Sequence, residues 1–325
     1  MVQADLIVEN AVQVVSCDPT RGTGGRVGLV ERGAVAAGGE RIVWIGPAAR
    51  AGAEVRLQPN GQRVDAAGRV VLPGFVDSLD KEHAVDVFAT LCAAQEVPDE
   101  FKGRPDAYLN LVVDKMLPEV AARGLARYID VICEQGVFSL SQARHVLEAG
   151  ARHTLRAKFH ADEFSAMGGA ELAAEVRALS ADHLLKANME GIYRMKAAGV
   201  TATLLPSVPF SLGLPYAPAR RYLDAGVRVA LASDFNPGSS MSFNLQLVMT
   251  LAVTQMKMTL EEALLGVTLH AAQAMGLESE VGSLRPGKLC DLILCDVTDW
   301  QQVAYNFGVN HVNQVIKRGR VAWGA

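Results

Sequence analysis

Between Tyr128 and Ser233, short apolar runs alternate with longer stretches of helical spacing, and this alternation constrains the fold more than any other feature of the chain. Strands are predicted at Tyr128–Cys133, Leu155–His160, Asp182–Leu185, Thr201–Leu205 and Val227–Ser233. Helices are predicted between them over Ser139–Ala149, Gly169–Leu179, Glu190–Ala198 and Pro218–Ala225. Ser139 and Gln142 form a capping-box pattern, and Gly199 is a stop signal. Two further candidate strands lie upstream, Val70–Val76 and Ala84–Ala93, which makes seven. Asp106–Leu125 carries Leu109, Val112, Val113, Met116, Leu117 and Val120 at helical spacing, and Thr259–Met275 reads as a last helix, boxed by Thr259 and Glu262 and closed by Gly276. Regular β–α alternation implies parallel strands. No GxGxxG or GxxxxGK[ST] motif follows a strand, so the nucleotide-binding sheets lose ground. The expected fold class is α/β, a TIM-like (β/α) barrel whose reactive residues sit at the C-terminal ends of the strands.

Both ends of the chain read differently. Leu6–Glu9, Val27–Val30 and Arg41–Gly46 are short strand-like runs separated by turn signals. Cys290–Cys295 and Val312–Trp323 are strand-like again, the latter a hairpin about Arg318–Gly319. The expected organisation is therefore a small β-sandwich from residues 1–69 plus 285–325 around a barrel over 70–284. Hydrophobic residues make up 50% of the chain and charged ones 20%, which supports a large core and excludes disorder as the main state. A net charge of -4 without a basic stripe argues against a nucleic-acid partner. No apolar run reaches the length of about 18 residues that a membrane span needs, and the first residues lack a signal-peptide pattern, so a cytoplasmic protein is expected. The five cysteines are scattered with no CxxC pair, as for reduced thiols.

Three predicted strands finish in residues that can do chemistry. His160 ends one and is followed by Ala161, Asp162 and Glu163; His183 ends the next; Asp234 ends VRVALAS. A lone strand-end histidine is usually a hydrogen-bonded core residue. Three such tips pointing into one mouth suggest a centre for a divalent metal, because imidazole and carboxylate are ligands of zinc and iron. Glu163 is placed to act as acid or base. The loop Asn236–Ser240 offers N–H groups and hydroxyls to a substrate carboxylate or carbonyl, although ordinary turns share its composition. His83, His145, His153, His270 and His311 fall in predicted helices or loops and read as structural or solvated.

The blocks FHADEFSAMGGAELAAE, SADHLL, ASDFNPGSS and YNFGVNHVNQVIKRGR resemble the imidazolonepropionase family of the amidohydrolase superfamily. So does VPDEFKGRPDAYLNLVVDKMLPEVAARGLARYIDVICEQGVFS, and LPGFVDS matches the superfamily more broadly. The resemblance implies a metal-dependent barrel with a sandwich built from both chain ends. It implies hydrolysis of a cyclic amide C–N bond, opening 4-imidazolone-5-propanoate to N-formimidoyl-L-glutamate in histidine degradation. By position it implies His160 and Asp234 as ligands of one divalent metal, zinc or iron. It further implies Glu163, His183 and Asp234 as catalytic groups, with Glu163, Gln95, Asn236, Gly238 and Ser239 against a small-molecule substrate. A homodimer is expected by analogy with the family.

The chain departs from the family pattern in one region. There LPGFVDS should lead into a His-x-His pair of metal ligands, but Leu79-Asp80-Lys81 follows and no His-x-His occurs anywhere. Gln95 stands where the family places a histidine, and an amide cannot carry a proton at neutral pH. About five residues separate the candidate strands on either side, whereas parallel neighbours need a crossover of about a dozen. One βα unit is therefore expected to be absent, with the family's substrate-binding Arg and Tyr positions. His160 and Asp234 alone fall below the usual three or four protein ligands, so impaired activity is expected. Two other readings follow from the same residues: a nucleobase-deaminase-like aminohydrolase, and a non-catalytic remnant of the enzyme.

Overall fold

The strand-like runs at the two chain ends assemble with one another. The computed structural model describes residues 1–77 and 85–324. The chain divides into one unit of Met1–Ser78 with Phe243–Ala325 and a second of Leu79–Ser242. In the first, a four-stranded sheet runs in the order Arg41–Pro47, Gly33–Gly38, Val2–Glu9, Val55–Asp65. A six-stranded sheet runs in the order Arg320–Trp323, Val312–Lys317, Leu292–Cys295, Val70–Pro73, Gln13–Val15, Leu29–Glu31. Leu6, Val8, Val35 and Ile42 of the first sheet share one core with Val14, Val71, Leu292, Leu294 and Ile316 of the second, which makes a sandwich. A register shift between Ala4 and Leu6 turns Ala4 to the other face, where it packs with Ile7 and Val55. Arg318 and Gly319 both adopt left-handed φ, the conformation a tight hairpin turn requires.

The run Val70–Val76, expected to open the barrel, is part of this sandwich instead. Val70–Pro73 pairs antiparallel with Leu292–Cys295 and parallel with Gln13–Val15. An apolar strand buried on both faces reads the same in either setting, and only its partners decide. The join near residues 79–83, and His83 itself, lie outside the described residues. The first unit also contains helices Leu245–Met256, Leu260–Gly266 and Leu269–Ala274, a region that the sequence reading gave to the barrel. The predicted helix Thr259–Met275 is broken at Thr268, whose buried hydroxyl donates to the Leu264 carbonyl at 2.6 Å.

The second unit holds a six-stranded sheet in which every pairing is parallel. Its order is Val229–Leu231, Thr201–Leu204, Ser180–His183, Arg156–Ala161, Tyr128–Cys133, Thr90–Ala94. Strands therefore neighbour one another in chain order, as in a barrel wall and unlike a doubly wound sheet. The predicted capping box at Ser139 is formed, and Gly199 ends its helix in the left-handed region. The predicted helix 106–125 carries a π-helical turn over Val112–Met116, just before Pro118, whose missing N–H interrupts the regular ladder.

Alternation gives this sheet two unlike faces. Helices cover the face of Ile129, Val131, Phe159, Ala161, Ala181 and Ala202: a Cβ at Gly150 would lie 2.4 Å from Ile129 Cγ2, and one at Gly169 2.7 Å from Ala161 Cβ. The residues between them, Asp130, Lys158, His160, Ser180, Asp182, Thr201 and Thr203, line the opposite face, and all but the half-buried His160 are buried.

Candidate active site

The polar face ends in the residues singled out from the sequence. His160 is next to last in Arg156–Ala161, His183 is last in Ser180–His183, and Asp234 follows Val229–Leu231 by three residues. Register places Ala161 beside His183 and His160 beside Asp182. The imidazole centroids of His160 and His183 are 5.1 Å apart. His183 Nδ1 lies 3.1 Å from Glu163 Oε1, and both side chains are buried.

Backbone strain marks the same place. Asp162, His183, Leu184 and Asp234 all have φ between 50° and 70°. A non-glycine residue in this region costs about 1–3 kcal/mol and persists where its surroundings enforce it, commonly at functional sites. Here two carboxylates do much of the enforcing. Asp162 accepts N–H bonds from Met167, Gly168 and Gly169 on Oδ1 and from Ala170 on Oδ2, all between 2.9 and 3.0 Å. Glu134 accepts the N–H groups of Glu163 at 2.7 Å, Phe164 at 3.0 Å and Ser165 at 2.9 Å, and the Ser165 hydroxyl as well. The backbone that carries Glu163 is thus held by the neighbouring strand.

Below the tips lies a charged layer. His160 Nδ1 makes an ion contact of 2.9 Å with Asp130 Oδ2, its N–H not directed squarely at the oxygen, and Lys158 Nζ lies 3.8 Å from Asp182 Oδ2. Burial opposes the charged imidazole of His160, but Asp130, with Asp182 and Asp234 beyond it, outweighs burial and raises it to about 9. Burial likewise opposes ionisation of Asp130, yet His160 and Lys158 hold its carboxyl below the usual range. Asp234 goes the other way: burial, reinforced by Glu163 and Asp182, raises its carboxyl despite His183 and His160.

The structure brings His160, Glu163, His183 and Asp234 within electrostatic reach of one another. Gln95 follows the Thr90–Ala94 strand, and its side chain lies within reach of the Cys92 thiol. The loop after Asp234 differs from expectation. Asn236 Oδ1 takes the N–H groups of Gly238 and Ser239, both at 2.9 Å, and Asn236 Nδ2 donates to the Asp234 carbonyl and to Ser239 Oγ. Those donors are engaged inside an Asx turn, so a substrate would have to displace Asn236 to reach them.

Among the described residues, Asp130, His160 and Asp182 form a group whose donor atoms all lie within 4.8 Å of one another, and Asp182 Oδ1 is buried without a partner. One imidazole and two carboxylates are a chemically suitable set for a divalent ion. Asp130, Glu134, Lys158 and Asp182 were not singled out from the sequence. Only Lys158 carried a sequence signal, a charged residue two positions before His160 on the same face of its strand.

The model of the Amidohydrolase family matches residues 117–322. The imidazolonepropionase of Geobacillus kaustophilus is 53% identical over 243 residues, covering 75% of this chain and 57% of that protein. The imidazolonepropionase of Parabacteroides distasonis is 44% identical over 262 residues, covering 81% and 63%. The chain thus spans less than two thirds of the length of these relatives. Among solved structures, a zinc-bound adenosine deaminase from Xanthomonas campestris superposes with a TM-score of 0.73 at 17% identity, covering 99% of this chain and 93% of that one. An amidohydrolase from a Sargasso Sea environmental sample gives 0.74 at 16% identity, covering 98% and 93%. At such identities the likeness gives the fold, that of the barrel-type hydrolases.

Proposed function

This chain belongs to the amidohydrolase family, and from that premise we propose that it hydrolyses a cyclic amide C–N bond, opening 4-imidazolone-5-propanoate to N-formimidoyl-L-glutamate. The convergence of His160, Glu163, His183 and Asp234 at or just beyond the C-terminal ends of three strands of one parallel sheet carries this reading. His160 and Asp234 would hold one divalent ion, zinc or iron. When bound, such an ion polarises the amide carbonyl and makes water nucleophilic near neutral pH.

The residues of the chain then divide the remaining work. Glu163, fixed by Glu134 through its backbone and by His183 through Oε1, takes a proton from the attacking water and returns it to the leaving ring nitrogen. Asp234, within electrostatic reach of His160, His183 and Glu163, would serve the ion as a carboxylate. Gln95, just beyond the Thr90–Ala94 strand, would donate from Nε2 to the substrate. Water adds across the C–N bond: hydroxyl to carbon, hydrogen to nitrogen. The sequence lacks the His-x-His pair of the family, so turnover should fall below that of the longer relatives. Among the described residues no helix is long and apolar enough to cross a membrane. By analogy with the family alone, we place the reaction in the cytoplasm, in a homodimer.

The test is hydrolysis of imidazolonepropionate by protein loaded with zinc or iron, beside the Glu163→Gln variant. Ring opening that falls at least about 100-fold in the variant supports the reading. Undetectable turnover in a folded, metal-loaded protein favours the remnant. Release of ammonia from a nucleobase, with no action on imidazolonepropionate, favours the deaminase-like alternative.

A further inference from the structure

Asp130 plays no part in the reaction above, yet both of its oxygens attend to His160. Oδ1 accepts the His160 backbone N–H at 3.3 Å, and Oδ2 lies 2.9 Å from ring Nδ1. Asp130 is only 4% exposed and sits within the strand Tyr128–Cys133, so its own position is fixed by the sheet. A carboxylate that grips backbone and ring of one residue restricts both side-chain torsions of that residue. It also decides which nitrogen an ion can take, because a carboxylate beside Nδ1 favours the proton there and leaves Nε2 as the nitrogen whose proton a metal would displace. Metal-bound histidines commonly have such a partner on the nitrogen that does not bind.

We infer that Asp130 is a positioning residue that commits His160 to offer Nε2 to a metal ion. The inference rests on the reading of His160 as a metal ligand. Asp182, the register neighbour of His160, is drawn toward Lys158 through Oδ2, which leaves Asp130 as the carboxylate in contact with the ring. In the rival arrangement, Asp130, Asp182 and Nδ1 of His160 would themselves surround the ion.

The experiment is nitrogen-15 NMR of histidine-labelled protein, free and loaded with cadmium-113, with His160 assigned through His160→Asn. The expected result in the unsubstituted protein is a protected Nδ1–H of His160 in the free form and cadmium coupling at Nε2 in the loaded form. Asp130→Ala should lose the protected signal and weaken cadmium binding about 10–100-fold, and Asp130→Glu should recover part of both. Cadmium coupling at Nδ1 overturns the inference while leaving His160 a ligand. Affinity within twofold of the unsubstituted protein in Asp130→Ala also overturns it. No cadmium at His160 overturns the ligand reading itself. Should Asp130→Ala fail to fold, the coupling pattern of the unsubstituted protein decides.

Discussion

Asp162 offers the sharpest test of how the mouth is held. Its carboxylate takes four backbone N–H groups from Met167 to Ala170, and the residue is 1% exposed. In Asp162→Ala, the Met167 and Gly168 amides, which are half-buried, can find water. Those of the buried Gly169 and Ala170 are left without a partner, at about 1–3 kcal/mol each, so a loss of about 4 kcal/mol is expected. Asp162→Asn is the finer probe. Asn tolerates the left-handed φ of 50° and keeps the oxygen that serves three amides. Its amide nitrogen would confront the Ala170 N–H, and the charge is gone, so about 2 kcal/mol is expected. For a unit of this size, 4 kcal/mol corresponds to a fall in Tm of about 8–16 °C. Urea unfolding followed by circular dichroism gives the free energies, and hydrogen exchange of peptides spanning 163–171 localises the effect. If Ala and Asn at this position cost the same, or if exchange accelerates elsewhere and not here, the carboxylate does not hold the loop as described.

Other consequences can be checked with the same tools. Gly169→Ala places a methyl group 2.7 Å from Ala161 Cβ and 3.1 Å from Ala161 Cα, so overpacking of about 1–3 kcal/mol is expected in urea unfolding. Gly52→Ala, in the helix Ala48–Glu54 with open space around it, should instead stabilise by about 0.5–1 kcal/mol. Burial opposes ionisation of Asp18, but Thr20, Arg285 and Arg21 together hold its carboxyl below the usual range. Its contribution is therefore full above the unfolded pKa of about 3.9 and is lost as pH falls through the lower folded value. Asp18→Asn should accordingly flatten the stability profile below about pH 4 and leave its upper part parallel. Lys158→Met alone leaves buried Asp182 without its cation and should cost about 3–5 kcal/mol, whereas Lys158→Met with Asp182→Leu should recover most of that; a double variant as unstable as the sum of the singles would contradict the pairing.

Local chemistry made much of the fold legible. The capping boxes at Ser139 and Thr259 and the Arg318–Gly319 hairpin form as the residues predict, because each is decided within a few positions. Leu245–Met256 was not predicted as a helix because it is apolar and buried on nearly every side, which erases the stripe that reveals an amphipathic helix. Val70–Val76 misled because a strand records its apolar surroundings and not the identity of its neighbours. The site divides in the same way. His160, His183 and Asp234 stood out as reactive groups at strand ends. Asp130 and Asp182 could be recognised only once register had put them on one face.

That register separates two layers of charged side chains. The lower layer has two carboxylates, Asp130 and Asp182, facing two cationic partners, His160 and Lys158. Buried charges survive when each is paired, and each carboxylate of this layer has a cationic partner, although Asp182 Oδ1 has no hydrogen bond. The upper layer, Glu163, His183 and Asp234, differs: burial there pushes the Asp234 carboxyl up, and Glu163 and Asp182 push it further. A cation added at these strand tips would favour the Asp234 carboxylate that burial disfavours. His160 belongs to both layers, bound below by Asp130 and facing His183 above. Loss of metal ligands elsewhere in the sequence would thus weaken the upper layer and leave the lower one intact. On the proposed function, the turnover of this chain would depend on how well His160 and Asp234 retain an ion.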